Sequence, residues 1–252
     1  MKGLFKWELS EHLRVSMLVA GIPTLLMVLT SDLLSHGRAF SYSTGGSIGG
    51  GSEGMPLSKS PTGSVILSTF GLNHFWILLS IFIIIMSAMI FRADREGGYA
   101  QAIFTLPISK KKLFGTKFLV LLVYSLLLLY FPMFLFLAMA FASVPNLFSG
   151  LFGWESFRHL LVFALYFALY SASLSVLVSL VLPNSSQAIM ISFILILLPS
   201  FLGLNLPPFS FVTAIPKYLG QAFSSGYVLQ GVVVPAVFVA LSLALVERRD
   251  VV

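Results

Sequence analysis

The sequence predicts an all-α polytopic membrane protein with six transmembrane helices and both termini in the cytoplasm. Three observations predict it. The chain is 58% hydrophobic and 10% charged, where an ordinary soluble domain carries roughly 25% charged residues, and its mean hydropathy is +0.98. Six apolar runs divide it, at 15–31, 75–91, 118–142, 160–182, 186–206 and 228–246. Lys and Arg are also unevenly shared between the alternating connections. The N-terminus, 92–117, 183–185 and the C-terminus hold eleven, and the opposite set holds only Arg38, Lys59, Arg158 and Lys217. The positive-inside rule puts the richer set in the cytoplasm.

Residues 1–14 are too polar to span. On a helix Phe5, Leu9 and Leu13 make an apolar stripe, with Lys6, Ser10 and Arg14 turned away, as in a helix lying in the membrane interface. Trp7 falls off the stripe but suits an interface. A secretory signal is not expected, because Glu8 and Glu11 stand in the charged segment and no small-residue cleavage site follows. The first run is interrupted by Pro23 and stops at Asp32. A helix needs about 20 residues to cross a hydrocarbon core of ~30 Å. Runs three to six meet that length, and the first two need a few flanking residues or a thinner bilayer. None alternates as a barrel strand would, and backbone groups in lipid must pair within their own segment, so all are expected to be helices.

The outer segment 33–74 is rich in Gly and Ser from 36 to 64. It is expected to be flexible, because it offers too little apolar surface to fold alone. The segment from Pro207 to Tyr227 mixes aromatics and prolines and is expected to lie in the interface or re-enter the membrane.

Several function classes are excluded. With no cysteine there are no disulfides, thiolate metal sites or cysteine nucleophiles, and the four histidines are too scattered for a metal site. The net charge of +6 fits basic loops of a membrane protein rather than nucleic-acid binding. Gly54-x4-Lys59-Ser60 lacks the glycine that a P-loop needs before its lysine. The cores of the six runs hold no Asp, Glu, Lys, Arg or His, the groups an ion-coupled transporter uses. Any uphill transport must draw its energy from another chain. Asn184-Ser185-Ser186 matches a glycosylation sequon but falls on the cytoplasmic side. In the fourth run Ser171, Ser175 and Ser179, and Ala164, Ala168 and Ala172, recur every four residues, a spacing that suits close helix packing. Pro23, Pro132 and Pro199 stand within spans, where each removes a backbone hydrogen bond. Asn73 and His74 close the outer end of the second run and are candidates to touch a solute.

The stretch 92–117 carries six of the fifteen Lys and Arg residues. In it Arg95-Glu96-Gly97-Gly98 is followed by Leu106-Pro107-Ile108-Ser109-Lys110 and then Gly115-Thr116-Lys117. This resembles the loop between the second and third spans of ABC transporter permeases of the type-2 exporter class, with Glu247-Arg248-Arg249-Asp250 matching the basic-Asp ending after the last span. It departs from them at Tyr99, Ala100 and Gln101, where Thr-Leu-Glu is common.

The resemblance implies a non-catalytic permease subunit of the plasma membrane in a prokaryotic cell, pairing with a second permease, identical or homologous. Two copies of a cytoplasmic ABC ATPase would bind the ATP and Mg; this chain would bind no cofactor. The 92–117 segment would hold a coupling helix, with Arg95, Glu96, Gly97, Gly98, Pro107, Ile108, Ser109 and Lys110 as its contact residues, assisted by the N-terminal interfacial helix. Two alternatives stay open: a mechanical transmitter or anchor acting on an extracytoplasmic partner, and an unrelated six-span protein with no ATPase.

Overall fold

The computed structural model describes residues 12–44, 73–93, 109–140, 155–214 and 225–248. These are helical apart from short turns, with no strand among them. The first helix, α1 (His12–Thr44), contains the first apolar run. α2 (Asn73–Ala88) continues into a π turn at Met89–Ala93, and α3 (Lys110–Ala140) and α4 (Glu155–Val181) follow. α5 (Ser185–Phe201) and the short α6 (Phe209–Ala214) come next. The last rod is α7 (Ser225–Val228), a π turn at Leu229–Val233, and α8 (Val234–Arg248). Among the described residues five segments are long and apolar enough to cross a membrane: Val15–Asp32, Asn73–Arg92, Lys110–Met139, Phe157–Val181 and Gly226–Arg248.

The fifth run differs from expectation. It makes a helix of 17 residues that ends at Phe201 instead of Leu206, about 25 Å long and so shorter than the other five. Gly203 is the cause. It takes φ +71°, its N–H donates to the Ser200 carbonyl at 3.1 Å, and the Leu204 N–H donates to the Pro199 carbonyl at 2.8 Å. These are the two bonds of a Schellman motif, which stops a helix whatever the hydropathy of the residues beyond it. Because the left-handed conformation costs an L residue about 1–2 kcal/mol, Gly203→Ala is expected to destabilise by about 1 kcal/mol. A Cβ there meets open space, so a larger loss in an SDS titration would point to a clash and contradict the backbone explanation.

α1 departs at both ends. It begins at His12, so residues 12–14 of the expected interfacial segment belong to this rod while 1–11 lie outside the described residues, and it continues twelve residues past Asp32, about 18 Å beyond the run. The expected loop at 33–44 is therefore helix. α3 likewise starts at Lys110, so the second part of 92–117 is the first two turns of the third span.

α4 is the hub, packing against α2, α3, α5, α6 and α8. Its small residues explain how: Ala164, Ala168, Ala172, Ser171, Ser175 and Ser179 are all buried. Ser179 Oγ lies 3.4 Å from Ser87 Oγ on α2 and donates to the Ser175 carbonyl at 2.7 Å. In lipid, helices gain little from burying apolar surface, so close backbone approach and interhelical hydrogen bonds carry the packing. α1 by contrast buries one face, Gly21, Leu25, Leu29 and Asp32, at helical spacing. α5 and α8 also turn apolar faces outward, among them Met190, Ile194, Leu198, Val237 and Leu241.

The two π turns have different settings. In the last rod Pro235 supplies no N–H to the carbonyl four residues back, and the Val234 N–H bonds to Leu229, five residues back. The widened turn brings Gly231 against the ring of Tyr166 on α4. Pro235 was the readable cue in the sequence.

Candidate functional site: the end of the bundle that carries the loop

One end of the bundle gathers the ends of several helices. α2 closes there with Arg92, α3 opens after Ser109, whose carbonyl accepts from the N–H groups of Lys112 and Leu113 at 2.9 and 3.1 Å, and α4 turns into α5 through residues 182–184. α8 also finishes there, because Glu247 meets Lys111 at 2.5 Å.

Two buried cations bind backbone carbonyls at this end. Lys117 Nζ donates to the Ile90 carbonyl at 3.0 Å. Ile90 lies within the π turn, and the last carbonyls of a helix lack partners in their own ladder, so a cation there completes the hydrogen bonding and meets the negative end of the helix dipole. Arg92 reaches across the bundle, and its guanidinium donates to the Pro183 carbonyl. That carbonyl lies between two ladders. Leu182 N–H still bonds to Val178 of α4, and Ala188 N–H bonds to Asn184 as α5 begins, so Pro183 belongs to neither. Both cationic side chains are buried, whereas the Lys111–Glu247 pair is largely exposed and is worth at most about 1 kcal/mol.

At the opposite end α1 and α2 meet through Asp32 and His74, whose Oδ1 and Nδ1 are 3.4 Å apart. Asp32 is buried there. Asn73 is exposed beside His74. Thus His74, expected as a solute contact, has an identified partner on the first helix.

Between the two ends an aromatic seam locks α6 onto α4. Trp76 of α2 meets Phe167 at 4.9 Å between ring centroids, and Phe167 meets Phe209 of α6 at 5.5 Å. Phe211 contacts Tyr166 at 5.8 Å, and Tyr170 meets Phe238 of α8 at 5.6 Å. Phe167 stands ten residues into the span Phe157–Val181, about 15 Å along it. α6 therefore packs at the middle of the fourth span. Its turn is internally bonded, with Ser210 N–H on Leu206 at 3.0 Å and Thr213 Oγ1 on Asn205 Oδ1 at 2.9 Å, as irregular backbone at such depth requires.

Of the expected contact residues, Ser109 is exposed just before α3 and Lys110 is half-buried in its first turn. Arg95, Glu96, Gly97, Gly98, Pro107 and Ile108 lie outside the described residues, as do Phe5, Trp7 and Leu9; the backbone of Leu13 is in α1. Arg92 and Lys117 were not singled out by the sequence. Their signal was position, as the cations bracketing the loop.

The fold defines a polytopic, all-helical membrane protein in which the helices flanking the charged segment 94–108 meet at the end where three other helix ends converge. The chain belongs to the ABC-2 family of transporter proteins, whose family model (described as ABC-2 family transporter protein) matches residues 55–203, more than half of its length. It is accordingly an ABC transporter permease, the membrane-embedded subunit. No curated protein matches the chain significantly.

Proposed function

We propose that the chain is the permease of an ATP-driven exporter, working as one of two permeases with two copies of a cytoplasmic ABC ATPase. In this reading six helices span the plasma membrane, α5 being the shortest, with both termini and the 92–117 loop in the cytoplasm. ATP and Mg bind the ATPase, and substrate crosses between the two permeases. The observation that carries the reading is the convergence of α2, α3, the α4–α5 turn and α8 on the end that bears the loop. A push on that loop meets five helix ends at once. The outward apolar faces of α1, α5 and α8 supply surface for lipid and for the second permease, and α6 is a re-entrant segment at the far side.

The test is co-purification. The intact chain should recover an ATPase from its own membranes in detergent, and Glu96→Lys should reduce that recovery by at least about tenfold, the loss expected when a charge contact is reversed. Recovery of no ATPase by the intact chain, or unchanged recovery by Glu96→Lys together with unchanged ATPase stimulation, rejects the loop as the contact.

A second reading rests on α1, which projects past Asp32 as helix. Such a projection could engage an extracytoplasmic partner, with the ATPase moving that partner instead of a solute. ATPase activity in nanodiscs that rises only with a bound outer protein, and with no solute, favours it.

A further inference from the structure

We infer that Arg92 and Lys117 form a clasp that carries movement of the 92–117 loop to the α4–α5 turn, and so to the fourth and fifth helices. The inference rests on the reading above, that the loop is where the ATPase acts, and identifies where its motion goes next.

Arg92 is the last described side chain before the loop, and Lys117 lies in the helix that follows it. Lys117 reaches back 27 positions to Ile90, so the strand of chain entering the loop and the helix leaving it are held together. Arg92 then holds Pro183, 91 positions away in sequence, at a carbonyl outside both neighbouring helical ladders. The three anchor points are thus one connected piece: end of α2, first turns of α3, turn between α4 and α5. Hydrogen bonds from charged donors are about twice as strong as neutral ones; the Lys117 bond is buried and the Arg92 bond half-buried. Such a tie resists stretching where the surface pair Lys111–Glu247 would yield.

The location of the Arg92 acceptor matters mechanically. Residues 182–184 are the only non-helical link between α4 and α5 among the described residues. α4 is the hub, and among the described elements α5 packs chiefly on α2, its π turn and α4. A pull on Pro183 therefore acts at the joint between the hub helix and one that turns an apolar face outward. Simple snorkelling explains this less well, because a snorkelling cation seeks water or headgroups and these two are buried on specific carbonyls.

The test uses the full permease with its co-purified ATPase in nanodiscs. The chain has no cysteine, so the exposed Gly115, where a Cβ meets open space, and the exposed Asn184 can each be replaced by cysteine singly and spin-labelled before assembly. The label-to-label distance between the two permeases is measured without nucleotide and after trapping with ADP and vanadate. In the otherwise native chain both positions are expected to shift. In Arg92→Met the Gly115 shift should persist and the Asn184 shift should be lost, with ATPase binding and thermal stability retained, and Arg92→Lys should restore it. Lys117→Met, which releases Ile90, provides an independent variant with the same expected loss should Arg92→Met fail to fold.

Persistence of both shifts in the Met variants overturns the clasp. Loss of both shifts with the ATPase still bound also overturns it, since the cations would then serve only to seat the loop. A native chain in which nucleotide shifts neither position, or which binds no ATPase, contradicts the proposed function itself.

Discussion

Trp76→Ala is expected to destabilise the protein by about 3 kcal/mol, measured by SDS titration in mixed micelles. Large aromatic truncations in soluble cores cost roughly 3–5 kcal/mol. The lower end applies because an unfolded span stays in lipid, so little transfer free energy is recovered on folding. What remains is the cavity. Trp76 is fully buried, with Phe75 at 5.2 Å and Phe167 at 4.9 Å, and Phe167 in turn braces Phe209 of α6. The variant thus removes the support from the seam that holds α6 in place. Phe131→Ala is the control. That side chain is exposed on α3, lipid replaces what is deleted, and the change should stay within about 0.5 kcal/mol. Equal losses at the two positions would mean that the outward stripe of α3 is itself packed against a second permease.

Much of this arrangement could be read from the residues, for a simple physical reason. Hydrocarbon excludes unpaired backbone and charge, so every span appears as a run. The readings that failed used polarity or hydropathy to locate helix ends. Polarity after Asp32 marks where a membrane stops, and a helix emerging into water needs no apolar residues, so α1 runs on to Thr44. At α5 the opposite happened. Leu202, Leu204 and Leu206 prolong the apolar run, but Gly203 had already turned the backbone. Lys117 was counted as loop because it is charged, yet it is buried inside α3. Its partner, the Ile90 carbonyl, is a backbone atom presented by a π turn, and backbone acceptors leave no trace in a sequence. The small residues of α4 were read correctly because their spacing carries the contact.

Three glycines in the described helices differ in a way that predicts their tolerance of a methyl group. At Gly115 a Cβ meets nothing within 4 Å, so Gly115→Ala should be neutral or stabilising by up to about 1 kcal/mol through helix propensity. At Gly21 the nearest atom is Leu128 Cδ2 at 2.7 Å. This is the far end of a flexible side chain, so a rotamer change absorbs part of the contact and Gly21→Ala should cost about 1 kcal/mol. At Gly231 the Cβ would stand 2.3 Å from Tyr166 Cγ and 2.5 Å from Cδ2. The atom struck is the root of the ring, and the ring is held by Phe163 at 6.4 Å and Phe211 at 5.8 Å. It cannot swing aside without disturbing the seam. Gly231→Ala should therefore cost about 3 kcal/mol, the upper part of the range for overpacking, and push the last rod away from α4. Truncating the obstacle should undo this: Tyr166→Ala combined with Gly231→Ala is expected to be more stable than Gly231→Ala alone, the mark of two residues in direct contact. Additive losses in that double variant would place the strain in the π turn instead of against Tyr166, and the close approach of the last rod to the hub would need another explanation.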